Sequence, residues 1–121
     1  MKTLLLVSIA VALCLTAACS KPQPSADAIS ASLTQFIKKD NPDAKLDGRK
    51  LLDSGSSGTL IITSFGYKDF TYTSKNGQKK TESGTGTATF DNISGKWLLD
   101  TVIINYGTPD AEIWNPKTEV K

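Results

Sequence analysis

The spacing of hydrophobic positions changes along this 121-residue chain, and each change marks an element. Leu4 to Leu13 is an apolar run interrupted only by Ser8. Ala26, Ile29, Leu33, Phe36 and Ile37 then recur at three- and four-residue steps, which places them on one stripe of an amphipathic helix. Ser25 reads as the N-cap, Asp27 suits the positive end of the helix dipole, and Lys38 and Lys39 suit the negative end. Pro42 disfavours helical geometry at Asn41 and ends the run. From Ala44 onward the signals are those of strands. Lys45 to Asp53 reads as a short first strand, Ser54 to Gly58 as a loop, and Thr59 to Ser74 as a long strand rich in Thr, Ile, Phe and Tyr. Asn76-Gly77 predicts a two-residue type I′ hairpin, whose central positions both need positive φ. Asp91 to Gly95 makes a second turn, and Lys96 to Tyr106 a fourth strand with apolar residues on both faces. Residues from Gly107 onward form a turn-rich tail.

A two-residue turn at Asn76-Gly77 sets a register with Lys75 opposite Gln78 and Tyr72 opposite Thr81. Phe70 then faces Ser83, Tyr67 faces Gly86 and Phe65 faces Ala88. One face carries Ile61, Phe65, Tyr67, Ala88 and Phe90, and the helix is expected to cover it. Phe70, Tyr72 and Lys68 fall on the opposite, wetter face. The expected fold class is α+β: an N-terminal amphipathic helix packed on a curved antiparallel sheet of about four strands. That order of elements resembles the cystatin-like and NTF2-like group of small folds. The stretch Phe90 to Trp97, with its Gly95-Lys96-Trp97 exit, resembles a hairpin common in small envelope lipoproteins of that shape.

The first residues carry an address. Met1-Lys2 gives a positive start, the apolar run follows, and Thr16-Ala17-Ala18 closes it with small side chains, which is the layout of a secretory signal. The run from Leu4 to Ala18 is shorter than the roughly 20 apolar residues that cross a bilayer. Followed by Cys19, these small residues resemble the lipobox of bacterial lipoproteins, although Thr16 stands where leucine is usual. The resemblance implies cleavage before Cys19 and lipidation of its sulfur and amino group. An ordinary secreted protein cleaved near Ala18 is the alternative. Cys19 would be the only cysteine of the mature chain, so no internal disulfide is open to it, and lipidation accounts for its presence in an oxidising compartment. Ser20, rather than Asp, follows it; by the enterobacterial sorting rule this implies the periplasmic side of the outer membrane. The chain then divides into a signal peptide over 1–18, a lipidated tether over 19–24 and one α+β domain over 25–121. Stiffened by Pro22 and Pro24, the tether reaches only ~15 Å at about 3.1 Å per residue.

Charge and composition narrow the function. Fourteen Lys and Arg against twelve Asp and Glu leave a net charge of +2, and no basic stripe with interleaved aromatics is present, so nucleic acid is not an expected partner. The chain has no histidine, the commonest general base near neutral pH and the commonest metal ligand. Asp69 and Glu82 are diagonal neighbours on the expected hairpin, but beside Lys80 and Thr71 they read as a solvated face rather than a catalytic pair. Asp40-Asn41-Pro42-Asp43 with Asp47 lacks the glycine and terminal Glu of an EF-hand loop. Gly55-Ser56-Ser57-Gly58 lacks the Gly-x-Ser-x-Gly spacing of a nucleophile elbow. No catalytic residue, metal or cofactor is expected.

Recognition surfaces remain. Trp114 and Ile113 in the tail, with Phe70 and Tyr72 on the strand, are the candidate partner-binding residues, because one large ring buries much area at an interface. Trp114 has a second reading, in which it folds back to cap the sheet. The expected function is a lipid-anchored envelope protein acting as a non-enzymatic protein-binding module, such as an inhibitor, an immunity or exclusion factor, or an accessory subunit. The alternative is a structural or small-ligand-binding periplasmic lipoprotein with a cleft between helix and sheet.

Overall fold

The computed structural model describes residues 23–47 and 52–121, side chains excepted over 52–57. The signal peptide, Cys19 and the tether up to residue 22 lie outside the described residues. Helix α1 spans Ala26–Ile37. Ser25 caps it: its Oγ accepts the Ala28 N–H at 3.1 Å, and its carbonyl accepts the Ile29 N–H at 3.0 Å. Ile29, Leu33 and Ile37 from the expected stripe are buried, with Phe36 partly so. Lys38 is the C-cap and Lys39 lies beyond it. The helix begins 25 residues into the chain, so it precedes every described strand without being N-terminal.

The sheet has more strands than the four expected: seven among the described residues, all pairs antiparallel. β1 (Lys45–Leu46) and β2 (Leu52–Ser57) both pair with β3 (Leu60–Thr73). Next come β4 (Lys79–Ile93) and β5 (Lys96–Ile104). β6 (Glu112–Trp114) and β7 (Thr118–Glu119) both pair with β5. Two expectations are thereby corrected. The segment read as a loop from Ser54 to Gly58 is largely β2, whose Ser56 and Ser57 pair with Ile61 and Leu60. The tail read as turn-rich supplies two edge strands, because Leu98, Leu99 and Val102 to Ile104 offer it an open ladder.

The hairpin turns exchange the chemistry expected of them. At the β3–β4 tip, the Ser74 N–H donates to the Gln78 carbonyl at 2.7 Å, and the Gly77 N–H donates to the Ser74 carbonyl at 2.8 Å. Gly77 has φ 82°, while Asn76 is not in the left-handed region. Lys75, Asn76 and Gly77 therefore form a three-residue loop closed by a left-handed glycine, in place of the two-residue turn. The type I′ geometry occurs instead at Ser94-Gly95, with φ 54° and 83°, between the paired residues Ile93 and Lys96.

One extra residue on β3 changes which side chains reach the core. Phe70 pairs with Glu82 and Tyr67 with Gly84, so two residues of β3 lie between pairs that are separated by only Ser83 on β4. Asp69 takes up the slack at φ 57°; its N–H donates to Ser83 Oγ at 3.1 Å, and its carbonyl accepts from Asn41 Nδ2 at 2.8 Å. Such a bulge reverses the alternation beyond it. Phe70 and Tyr72, expected on the wetter face, therefore join Phe65 and Tyr67 inside, and each is only 4% exposed. Asp100 plays the same part on β5, allowing Trp97 and Leu99 before it and Val102 and Ile104 after it all to be buried. The inner face of Ile61, Phe65, Tyr67, Ala88 and Phe90 is buried as read, but its register is not: Phe65 lies opposite Gly86 rather than Ala88, and Tyr67 opposite Gly84 rather than Gly86, because the three-residue turn and the extra residue of β3 each shift the ladder by one.

Candidate binding groove

The bulge at Asp69 and the return of the tail bring together rings that are distant in sequence. Trp114 pairs with Val102, a core residue of β5, so its side chain shares the helix-facing side of the sheet. There its ring centroid lies 5.7 Å from Phe36, 5.6 Å from Phe70 and 5.5 Å from Tyr72, each contact edge-to-face. Phe36 and Phe70 are 5.8 Å apart, and Tyr67 extends the cluster at 5.6 Å from Phe70. Edge-to-face pairs of this kind add about 0.5–1.5 kcal/mol each beyond simple burial. The cluster pins α1 to the sheet through Phe36.

Three of the four residues singled out for recognition thus pack against one another, and Ile113 stands apart. Phe70 and Tyr72 are buried, Trp114 is half-buried, and Ile113 is 60% exposed opposite Ile103, on the side of the sheet away from Trp114. Trp114 does fold back onto the sheet, but it does not seal it. Between α1 and the segment that follows β6 runs a groove of about 560 Å³. Phe36, Trp114 and Pro116 supply its apolar lining. Ser32, Gln35, Asn115 and Thr118 supply neutral polar groups, and Lys39 the one charge. Ser32 and Phe36 share a flank of α1 because they stand four residues apart, and Lys39 follows just past the C-cap Lys38. That spacing was visible in the sequence. Its partner across the groove was not, because Asn115 and Pro116 are placed by tail docking.

Two other clusters shape the electrostatics. The Tyr72 hydroxyl donates to Glu82 Oε1 at the end of the ring cluster. Burial, then that hydrogen bond and the carboxylate's charge, push the Tyr72 phenol well above its ordinary range. Burial and the charge of Glu82 raise Tyr67 as well. Asp69 sits exposed on the bulge, bonded through its backbone, while the Glu82 carboxylate accepts from the Tyr72 hydroxyl. On the other side of the sheet, Lys117 Nζ donates to Asp100 Oδ1 and holds that carboxyl below the usual range. Asp91 beside it is raised, first by burial and then by the charge of Asp100. The Thr101 hydroxyl lies 3.1 Å from Asp100 Oδ2 and 3.0 Å from Asn115 Oδ1, tying this cluster to the groove's C-terminal wall.

No group of three or more metal-ligating side chains occurs among the described residues. No helix among them is long and apolar enough to cross a membrane. Comparison of the chain with protein-family models, with curated proteins and with solved structures gives no match.

Proposed function

We propose that this chain is a lipid-anchored protein of the bacterial envelope, held at the periplasmic side of the outer membrane, and that it acts as a non-enzymatic binding module. The observation that carries the binding half is the groove between α1 and the C-terminal segment, with Trp114 left half-buried beside rings that are fully covered. Its volume falls in the range of about 300–1,000 Å³ typical of small-molecule sites. Of the two kinds of occupant anticipated, this concavity favours the small-ligand reading. A flat protein-binding patch through Phe70, Tyr72, Ile113 and Trp114 has less support, since two of these are buried and Ile113 is on the far side. The resemblance to cystatin-like folds is supported by one helix laid against an antiparallel sheet.

The anchoring half rests on the sequence around Cys19. The domain's first helix begins at Ala26, so the tether would leave from the end of α1 that carries the Ser25 cap. Mass spectrometry of the mature protein tests this: the expected first residue is Cys19 bearing a diacylglyceryl group. A free thiol, or any other first residue, refutes the anchor. Thermal unfolding tests the groove. A ligand present at about 100 times its Kd adds about 2.7 kcal/mol of stability, which moves the midpoint by ~10 °C or more in a domain of this size.

A further inference from the structure

Resting on that small-ligand reading, we infer that the groove takes a pyranose sugar, and that it prefers a sugar carrying a carboxylate. A pyranose ring has an apolar face of C–H groups and a rim of hydroxyls. The groove offers the same two textures: rings from Phe36, Trp114 and Pro116, and neutral hydrogen-bonding side chains from Ser32, Gln35, Asn115 and Thr118. Ser32, Gln35 and Thr118 direct no side-chain hydrogen bond to another described residue, and Asn115 uses its Oδ1 toward Thr101 while its amide N–H groups remain free of such a bond. Their hydrogen-bonding capacity is open to an occupant.

Other ligand classes fit less well. An acyl chain would cover these polar groups without replacing the hydrogen bonds they make to water, which is unfavourable. A nucleotide or other polyanion would meet one cation only, and it would lie along the C-terminal half of α1, where the helix dipole is negative. A single carboxylate is different. Lys39 is the one charged residue lining the groove, with no carboxylate against it there, so one negative group on the sugar has a partner.

The test uses the mature chain carrying Cys19→Ser, titrated separately with methyl glucuronide, which bears one carboxylate, with methyl glucoside, its neutral counterpart, and with laurate. Amide chemical shifts of residues 32–39 and 114–118 report the groove. Both sugars are expected to move these resonances saturably, methyl glucuronide at the lower concentration. Gln35 and Lys39 are exposed, so Gln35→Ala and Lys39→Gln leave the fold intact. Gln35→Ala should weaken both sugars, whereas Lys39→Gln should weaken methyl glucuronide alone, by about two- to fivefold as suits an exposed ion pair. If laurate moves the groove resonances and neither sugar does, the sugar inference fails and the small-ligand reading survives. If none of the three moves them, both fail. Equal binding of the two sugars, insensitive to Lys39→Gln, refutes the preference for an acidic sugar.

Discussion

Gly86 sits on the inner side of β4 directly opposite Phe65, and adding a single methyl group there tests how the hairpin is packed. An ideal Cβ at Gly86 would lie 2.9 Å from Phe65 Cζ, 3.1 Å from Phe65 Cε1 and 3.0 Å from the Ile103 carbonyl oxygen. Neither neighbour can give way cheaply. Phe65 is 3% exposed and its ring is stacked toward Tyr67 at 6.0 Å, while the Ile103 oxygen belongs to the backbone of the adjacent strand. Overpacking of this kind costs about 1–3 kcal/mol. Against it, replacing glycine by alanine lowers the entropy of the unfolded chain, a gain of about 0.4–1 kcal/mol. The net expectation for Gly86→Ala is a loss of about 1–2 kcal/mol. At ~4–8 °C per kcal/mol, the melting midpoint should fall by about 5–15 °C. Gly84 is the internal control. Its added Cβ would meet only Tyr67, with Oη at 3.2 Å and Cζ at 3.5 Å, and the residue is exposed, so Gly84→Ala should stay within about 0.5 kcal/mol of the parent. Thermal and urea unfolding followed by circular dichroism measure both variants. A double variant with Phe65→Leu should recover part of the Gly86→Ala loss, since the clash is with the ring. If Gly86→Ala melts at or above the parent, or no lower than Gly84→Ala, the close packing of Phe65 over this glycine is refuted.

Three further outcomes follow from the turns and the charged clusters. Gly95→Ala forces a side chain into a left-handed position at φ 83° and should cost about 1–2 kcal/mol, whereas Ser94→Asn suits its φ of 54° and should raise the melting midpoint slightly; equal effects would count against the type I′ assignment. Asp100→Asn removes one of the two main causes that raise Asp91, so the Asp91 carboxyl should titrate closer to its ordinary range, part of the way only because burial persists; carbon-detected NMR titration reads this, and an unmoved Asp91 contradicts it. Because Tyr67 and Tyr72 are raised in the folded state, the unfolded chain ionises first as pH rises. Stability should therefore be full below about pH 10 and decline above it, and Tyr72→Phe should lessen that alkaline decline while costing about 0.5–1.5 kcal/mol at neutral pH through the lost bond to Glu82; an unchanged alkaline profile would refute the role of Tyr72.

Much of the domain is legible from local pattern. Ser25, the stripe from Ile29 to Ile37 and the stop before Pro42 specify α1 because capping and 3.6-residue periodicity act within a few residues. The inner set of Ile61, Phe65, Tyr67, Ala88 and Phe90 follows from alternation along two strands, and the absence of histidine is a matter of composition alone. The candidate site is legible only in part. Trp114 stands out as a large ring in a polar tail, but its neighbours Ser32, Gln35 and Lys39 look like an ordinary solvated helix flank until Asn115 and Pro116 are laid beside them.

Tertiary structure decided the rest, above all the side on which Phe70 and Tyr72 lie. A strand's alternation is local, but one extra residue inverts every side chain beyond it, and nothing near Asp69 in the sequence announces that residue. Its left-handed backbone is held from Ser83 across the ladder and from Asn41, 28 positions earlier. Asp100 and the tail show the same dependence: Lys117 bonds to Asp100, and the Val120 N–H donates to the Trp97 carbonyl at 2.9 Å. Helix and inner face are thus written in residues that are neighbours along the chain, while the groove exists only because partners brought together by folding reversed one strand and docked the other end.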